Sequence, residues 1–352
     1  MIDLSTRLRH LAQRARRFTA RLLRGSYGAR LEQELAIFAD QVDVNALPDI
    51  FHYWSNKYLR PMQEEYGYSN PDQFFAHYLG RAISADARPQ RVIYSLGAGN
   101  CDTEVRVAKL LREAGHSRFR LICLDANPAM LERGRQLAAG EGLADCVIPT
   151  RADLNRWQPD TPATAVMANQ SLHHFVELET IFDAVQRALP PGAPFVISDM
   201  IGRNGHQRWP EALVHVQRFW QELPAAYRYN LQLRRQENTF KDWDCSVAGF
   251  EGIRAQDILP LLRERFHFHT FIGFANLVDP FIDRSFGHHF DAQADWDRDF
   301  IDRVHALDES LLLAGEITPT HMMAVVANQP CAGPPQFSRG LDPARCVRVA
   351  PG

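Results

Sequence analysis

Short apolar runs recur through the middle of the chain, each closed by glycine, an acid or a polar turn, with helix-like segments between them. Val92-Ile93-Tyr94 runs into Gly97-Ala98-Gly99. Leu121 to Asp125 is a second strand ending in an acid. Cys146 to Pro149 is a third, followed by Ala152-Asp153-Leu154. Thr164 to Phe175 is a fourth strand entering a loop, and Pro194 to Met200 a fifth. Strands alternating with helices predict a doubly wound, mostly parallel sheet of the α/β class. Phe266–Phe274 and His321–Ala327 read as the sixth and seventh strands.

Outside this core the pattern changes. In residues 1–31, Leu4, Leu8, Leu11, Ala15, Phe18 and Leu22 are spaced by fours and threes, the apolar stripe of an amphipathic helix. Eight arginines share that segment with a single acid, Asp3. Packing on the domain of alternating strands and helices or on a second subunit is the first reading and an anionic membrane surface the second. An organelle transit segment ranks last, because the stripe leads into another helix over 31–42. Residues 43–85 read as a helical lid with a dense aromatic patch at 51–61. The core covers 86–201, a largely helical cap 202–262, and the last two strands 263–328 with an insertion at 277–316. Residues 329–352, rich in Pro, Gly and Arg, read as a loose tail.

The turn at Gly97-Ala98-Gly99 carries the first chemical signal. Glycines there permit φ > 0 and let a ligand lie against bare backbone, and the following helix offers free N–H groups to an anionic group. An acid at the end of the next strand, Asp125, suits a pair of ribose hydroxyls. Leu96-Gly97-Ala98-Gly99, Asp125, Ala152-Asp153-Leu154, Asn169 to Phe175 with its Leu-His-His-Phe, and the fifth strand occur in the order that resembles the class I S-adenosylmethionine-dependent methyltransferases, closest to the group with the quinone-biosynthesis enzymes. The resemblance implies a Rossmann-like seven-stranded sheet with its last strand antiparallel to its neighbours, and S-adenosyl-L-methionine as cofactor.

A nicotinamide dehydrogenase fits less well. Its third glycine would stand where this chain has Asp102, and Asp125 lies farther from the turn than the usual spacing of about 20 residues. A Walker phosphate loop is excluded, since the only lysines are Lys57, Lys109 and Lys241.

The resemblance also implies roles. Gly97 and Gly99 approach the methionine moiety, with Ser95, Ala98 and Asn100 alongside. Asp125 binds the ribose, Ala126 or Asn127 borders the adenine, Asp153 accepts from its amino group beside Leu154, and Asn169 meets the amino-acid end. Helix capping or turn formation is the competing role for Asp125 and Asp153.

Methyl transfer from a sulfonium needs alignment above all, and a base only where the acceptor must lose a proton. His174 and Asp199 are the candidate bases, and His173 shapes the same loop beside the acceptor. Tyr53, Trp54 and Tyr58 are candidate substrate contacts, with core packing favoured over that role. Arg284 and His288 are candidate contacts from a loop closing over the substrate. That loop, Asp279 to Asp291, holds ligand residue types, but their spacing matches no standard zinc or calcium motif, so no metal is expected.

Composition narrows the rest. With 352 residues, 45% hydrophobic and 23% charged, and a net charge of −3, the chain suits a globular protein with no general affinity for nucleic acid. Six cysteines without a C-x-x-C pair fit a reducing cytoplasm. No apolar run reaches the roughly 18 residues that span a bilayer, and no secretory signal is visible. The leading expectation is methylation of a small-molecule metabolite at oxygen or nitrogen. Other S-adenosylmethionine chemistry (cyclisation, elimination or aminocarboxypropyl transfer) and a non-catalytic docking module are the alternatives.

Overall fold

The computed structural model describes residues 28, 30, 47–247 and 249–348. The amphipathic segment at 1–31 lies outside the described residues apart from Gly28 and Arg30, as does all of 31–42. Arg30 donates to the carbonyls of Ser246 and Gly249 at 3.3 and 3.5 Å.

The sheet is built from β1 (Arg91–Leu96), β2 (Phe119–Asp125), β3 (Val147–Arg151), β4 (Ala165–Asn169), β5 (Pro194–Met200), β8 (His267–Phe274), β9 (His321–Ala327) and β10 (Gln336–Phe337); β6 (Tyr229–Asn230) and β7 (Arg235–Gln236) form a separate hairpin. The strand order is β10-β8-β9-β5-β4-β1-β2-β3. Strands β1 to β5 pair in parallel, while β9 runs antiparallel between β5 and β8, as the resemblance implied. This is the Rossmann-like α/β architecture expected.

The sheet has eight strands where seven were expected. The eighth, β10, comes from the stretch read as a loose tail, in which Leu341 and Cys346 are also buried and Arg348 pairs with Glu211 at 2.7 Å. A two-residue edge strand has no periodicity to read, so its pairing with β8 was invisible. The cap at 202–262 is less helical than expected: beyond helix α7 (Pro210–Glu222) and helix α8 (Ala255–Arg265) it consists of the β6–β7 hairpin and turns.

Both faces of the sheet are covered, and strand periodicity assigns side chains to them. Ile93, Leu121, Met167, Val196 and Val325 join one apolar core, which packs against α3 (Pro71–Ala85) and α4 (Asp102–Glu113). Val92, Tyr94, Leu96, Val166, Ile197 and Ala324 join the other, against α6 (Leu178–Ala188) and α8. The same alternation turns Ser95 onto the Ile93 face, towards Glu104 of α4.

Ser95 is fully buried and donates to Glu104 Oε1 at 2.6 Å. Burial raises the Glu104 carboxyl to about 7 against the Ser95 hydrogen bond that lowers it. A carboxyl raised in the folded state contributes stability that is complete below its unfolded value near 4.5 and is lost as pH rises through about 7. Glu104→Gln is therefore expected to gain roughly 2–3 kcal/mol on the wild type between pH 4.5 and 8. Denaturant unfolding across that range checks this, and parallel stability curves would refute it.

The aromatic patch sits on α1 (Asp49–Trp54) and the π-helical turn Ser55–Leu59 that follows. Trp54 is buried and donates its indole N–H to His305 Nδ1 at 3.3 Å. Tyr53 and Tyr58 donate to Asp302 at 3.0 and 2.7 Å, and Lys57 pairs with it at 2.6 Å. Asp302 and His305 belong to α10 (Asp295–Ala314), which follows the short α9 (Asp279–Ile282). The polar tips of these side chains are thus taken up by a helix–helix contact, the packing role favoured above. Tyr53→Phe is expected to leave the acceptor KM within about twofold and to cost about 1 kcal/mol of stability, the scale of one lost hydrogen bond; a tenfold rise in KM would restore Tyr53 as a substrate contact.

Candidate active site

At the carboxyl end of β1 the chain leaves the sheet at Gly97. Gly97 N and Ala98 N both donate to Leu124 O, at 2.9 and 3.0 Å, which ties the turn to the end of β2. Gly97 has φ +72°, and a Cβ there would lie 2.6 Å from Ser171 Cβ, so this position admits only glycine. Gly97, Ala98 and Gly99 keep partly exposed backbone, whereas Ser95 and Asn100 are buried. Asn100 accepts from Arg133 Nε at 2.9 Å. The side chains of Ser95 and Asn100 therefore brace the turn, Ser95 through Glu104 and Asn100 through Arg133.

Asp125 ends β2 beside that turn. Its carboxylate accepts from Gly99 N at 2.9 Å and from Asn127 N at 2.8 Å, and burial raises its pKa. Asn127 caps α5 (Pro128–Gly140) by accepting from Ala129 N and Met130 N, ahead of a proline at the first helical position. Asp153 accepts from Asn155 N at 3.1 Å, a turn-forming bond, and Leu154 is buried. Ala152 N donates to Asp125 O at 2.9 Å, which brings the third signature beside the second. Asn169 ends β4 and donates to Thr103 Oγ1 at 3.1 Å.

The Leu-His-His-Phe loop is seated directly on the glycine turn. Ser171 Oγ donates to Leu96 O at 2.6 Å, and Val176 N and Glu177 N donate to Asn155 Oδ1. Asp199, fully buried at the end of β5, holds the loop from below. It accepts from Ser171 N at 2.9 Å, Leu172 N at 2.7 Å, Met200 N at 2.8 Å and His173 Nδ1 at 2.6 Å. Both oxygens of Asp199 are thus committed to the loop, to Met200 N and to His173. Burial alone would raise its pKa, but the His173 imidazole and the backbone amides hold it below the usual carboxylate range. Burial opposes charge on His173, yet the carboxylates of Asp199 and Glu251 raise its pKa to about 10.

Two residues not singled out in the sequence complete the group. Glu251 faces three imidazoles: His206 Nε2 at 2.5 Å from Oε1, His173 Nε2 at 3.4 Å from Oε1, and His174 Nε2 at 3.5 Å from Oε2. The His173 ring lies 4.3 Å from that of His174 and 5.3 Å from that of His206. Arg254 pins the chain after Glu251 by pairing with Glu179 at 2.6 Å and donating to Val176 O at 2.8 Å.

The structure thus brings Gly97 to Gly99, Asp125, His173, His174 and Asp199 to one edge of the sheet. It does not bring His288 there by any hydrogen bond of its own: His288 is exposed, and its neighbour His289 binds Tyr229 O at 2.7 Å. Arg284 is half-buried in the same loop. No local signal marked His206 or Glu251, because each lies in an irregular turn and they are separated by 45 positions.

Residues 93–192 match the family described as a methyltransferase domain. Together with the parallel sheet, the glycine turn and Asp125, this makes the protein a methyltransferase enzyme with S-adenosylmethionine as its cofactor. Among solved structures the chain is similar to the geranyl diphosphate C-methyltransferase of Streptomyces coelicolor A3(2), with 12% identity over 72% of this chain and 76% of that one and a TM-score of 0.40. It is also similar to the CcbJ methyltransferase of Streptomyces caelestis, with 19% identity over 40% of this chain and 53% of that one and a TM-score of 0.30. No protein of curated function matches it by sequence. Among the described residues no helix is long and apolar enough to cross a membrane.

Proposed function

We propose that the protein methylates a hydroxyl oxygen of a small-molecule metabolite. The observation that carries this reading is the cluster of His173, His174, His206 and Glu251 seated on the glycine turn, because an oxygen acceptor must lose its proton as it attacks. S-adenosylmethionine supplies an activated methyl group, whose carbon is taken by the acceptor oxygen while the electron pair of the broken C–S bond stays on sulfur.

The residues present suit that cofactor. Gly97 to Gly99 offer bare backbone, and the Asp125 carboxylate stands at the strand end where ribose hydroxyls are bound. Asp153, Ala126, Asn127 and Leu154 border the adenine side, and Asn169 the amino-acid end. His174 takes the acceptor's proton: its ring is partly exposed and its Nε2 lies 3.5 Å from the Glu251 carboxylate, which stabilises the imidazolium that forms. His173, locked on Asp199, fixes the loop that carries His174 and keeps water out behind it. Arg284 remains the contact proposed from the 279–291 loop.

The test is a screen of hydroxylated and amino metabolites with S-adenosylmethionine, reading S-adenosylhomocysteine release. Methylthioadenosine as the product would overturn methyl transfer, and turnover of amino compounds alone would overturn the oxygen acceptor.

A further inference from the structure

The cluster on the glycine turn holds more than a proton acceptor needs. His173, His206 and Glu251 each offer a donor atom, and these atoms all lie within 4.8 Å of one another. Three features distinguish the group from a chance cluster. His173 turns its Nδ1 onto Asp199 at 2.6 Å and its Nε2 towards Glu251, the arrangement in which a carboxylate orients a ligating imidazole through its other nitrogen. The loops carrying the other two donors are clamped together, with Gly205 N donating to Gly252 O at 2.9 Å. At Gly252 (φ +64°) a Cβ would lie 3.0 Å from Gly205 N and 3.1 Å from His206 Cε1, so only glycine lets the loops close to this distance. His206 itself adopts φ +56°, a conformation unfavourable for a residue with a Cβ, and its Nε2 meets Glu251 Oε1 at 2.5 Å.

We propose that His173, His206 and Glu251 bind a divalent first-row transition-metal ion beside the methyl-donor cleft, with Asp199 holding His173 in its ligating orientation. Two imidazoles and one carboxylate select such an ion over calcium or magnesium, which take oxygen donors. Donors at about 2.0–2.2 Å from a shared ion stand about 3–3.5 Å apart. His173 Nε2 and Glu251 Oε1 already lie 3.4 Å apart, and His206 Nε2 lies at 2.5 Å from the same oxygen, so a rotation of the Glu251 carboxylate opens the space. Three protein ligands leave positions for the acceptor. This proposal rests on the methyl-transfer reading for its use of the ion: a bound acceptor hydroxyl is polarised, its O–H bond breaks, and the proton passes to His174 Nε2. It was invisible in the sequence because the donors come from three loops and share no motif spacing.

The test uses the tag-free full chain, stripped with a chelator and titrated separately with Zn2+ and Mn2+ in a calorimeter. Wild-type protein is expected to bind one equivalent of at least one ion at micromolar affinity or tighter. Glu251→Gln and His206→Asn are expected to weaken that binding at least 100-fold while still binding S-adenosylhomocysteine, which shows them folded. The Co2+-loaded wild type is expected to show the visible absorption of a nitrogen- and oxygen-ligated ion, lost in both variants. No stoichiometric binding by folded protein, or binding unchanged in both variants, overturns the ion site, and the cluster is then a protonated His173 shared by two carboxylates. S-adenosylhomocysteine binding without the ion would leave methyl transfer standing, whereas ion binding without S-adenosylhomocysteine would overturn the methyl-transfer reading and not the site.

Discussion

Asp125→Ala is expected to lower affinity for S-adenosylhomocysteine at least 100-fold while the protein stays folded. The carboxylate ends β2 at the rim of the cleft, and hydrogen bonds to a charged acceptor contribute about 1.5–3 kcal/mol each. Two ribose hydroxyls on one carboxylate therefore account for a loss of roughly 100- to 1,000-fold or more. A second effect acts in the same direction. Asp125 also accepts from Gly99 N and Asn127 N, so its removal frees the glycine turn against which the ligand lies. The folded state loses less, because the carboxylate is itself strained by burial, which raises its pKa. A stability loss under about 2 kcal/mol is expected, the scale of two modest hydrogen bonds. Calorimetric titration beside a denaturant melt checks both quantities. Affinity within threefold of wild type would remove Asp125 from the cofactor site, and loss of binding only in unfolded protein would make it a structural residue.

Asp199→Ala is expected to act on both turnover and stability. The substitution strands three backbone N–H groups, those of Ser171, Leu172 and Met200, and leaves the buried His173 with Glu251 alone. Breaking a buried charge pair by removing one member costs about 3–5 kcal/mol. The catalytic loss follows from position rather than contact. Without Asp199 the Leu-His-His-Phe loop is released from the end of β5, and an imidazole displaced by about 1 Å can cost 100-fold or more in rate. The expected signature is a fall in kcat with S-adenosylhomocysteine affinity unchanged within threefold, because the glycine turn and Asp125 are held by other bonds. Asp199→Asn keeps the shape and an acceptor for the loop amides, so it should recover most of the stability but little of the turnover. Equal recovery of both would make Asp199 a purely structural anchor.

The candidate site was legible in the sequence to an uneven degree. Gly97, Asp125 and the Leu-His-His-Phe loop were found because each sits where an apolar run stops, and a strand end is a local feature. Ser95 and Asn100 flank the turn in the chain, but their partners are not legible there: strand alternation sends Ser95 onto Glu104, and Asn100 accepts from Arg133. Asp199 was recognised as a group near the end of strand five, yet its saturation by three amides and an imidazole depends on how the fourth loop folds back. Tyr53 and Tyr58 belong to an aromatic patch whose polar tips are claimed by Asp302, nearly 250 positions away, and nothing near them in the chain announces that partner.

By itself, the sequence determined the alternation of strands and helices, the parallel core, the glycine turn and the acid beside it, while the direction of the last strand followed from the family resemblance. Those features rest on period, on backbone freedom and on the ends of elements, all of which act over a few residues. Only the tertiary structure decided that His173, His206 and Glu251 converge, that β10 completes the sheet, and that Asp199 is saturated by three amides and an imidazole. Those outcomes depend on the distances between loops that are far apart along the chain, and such distances are set by how the layers pack, which no local pattern encodes.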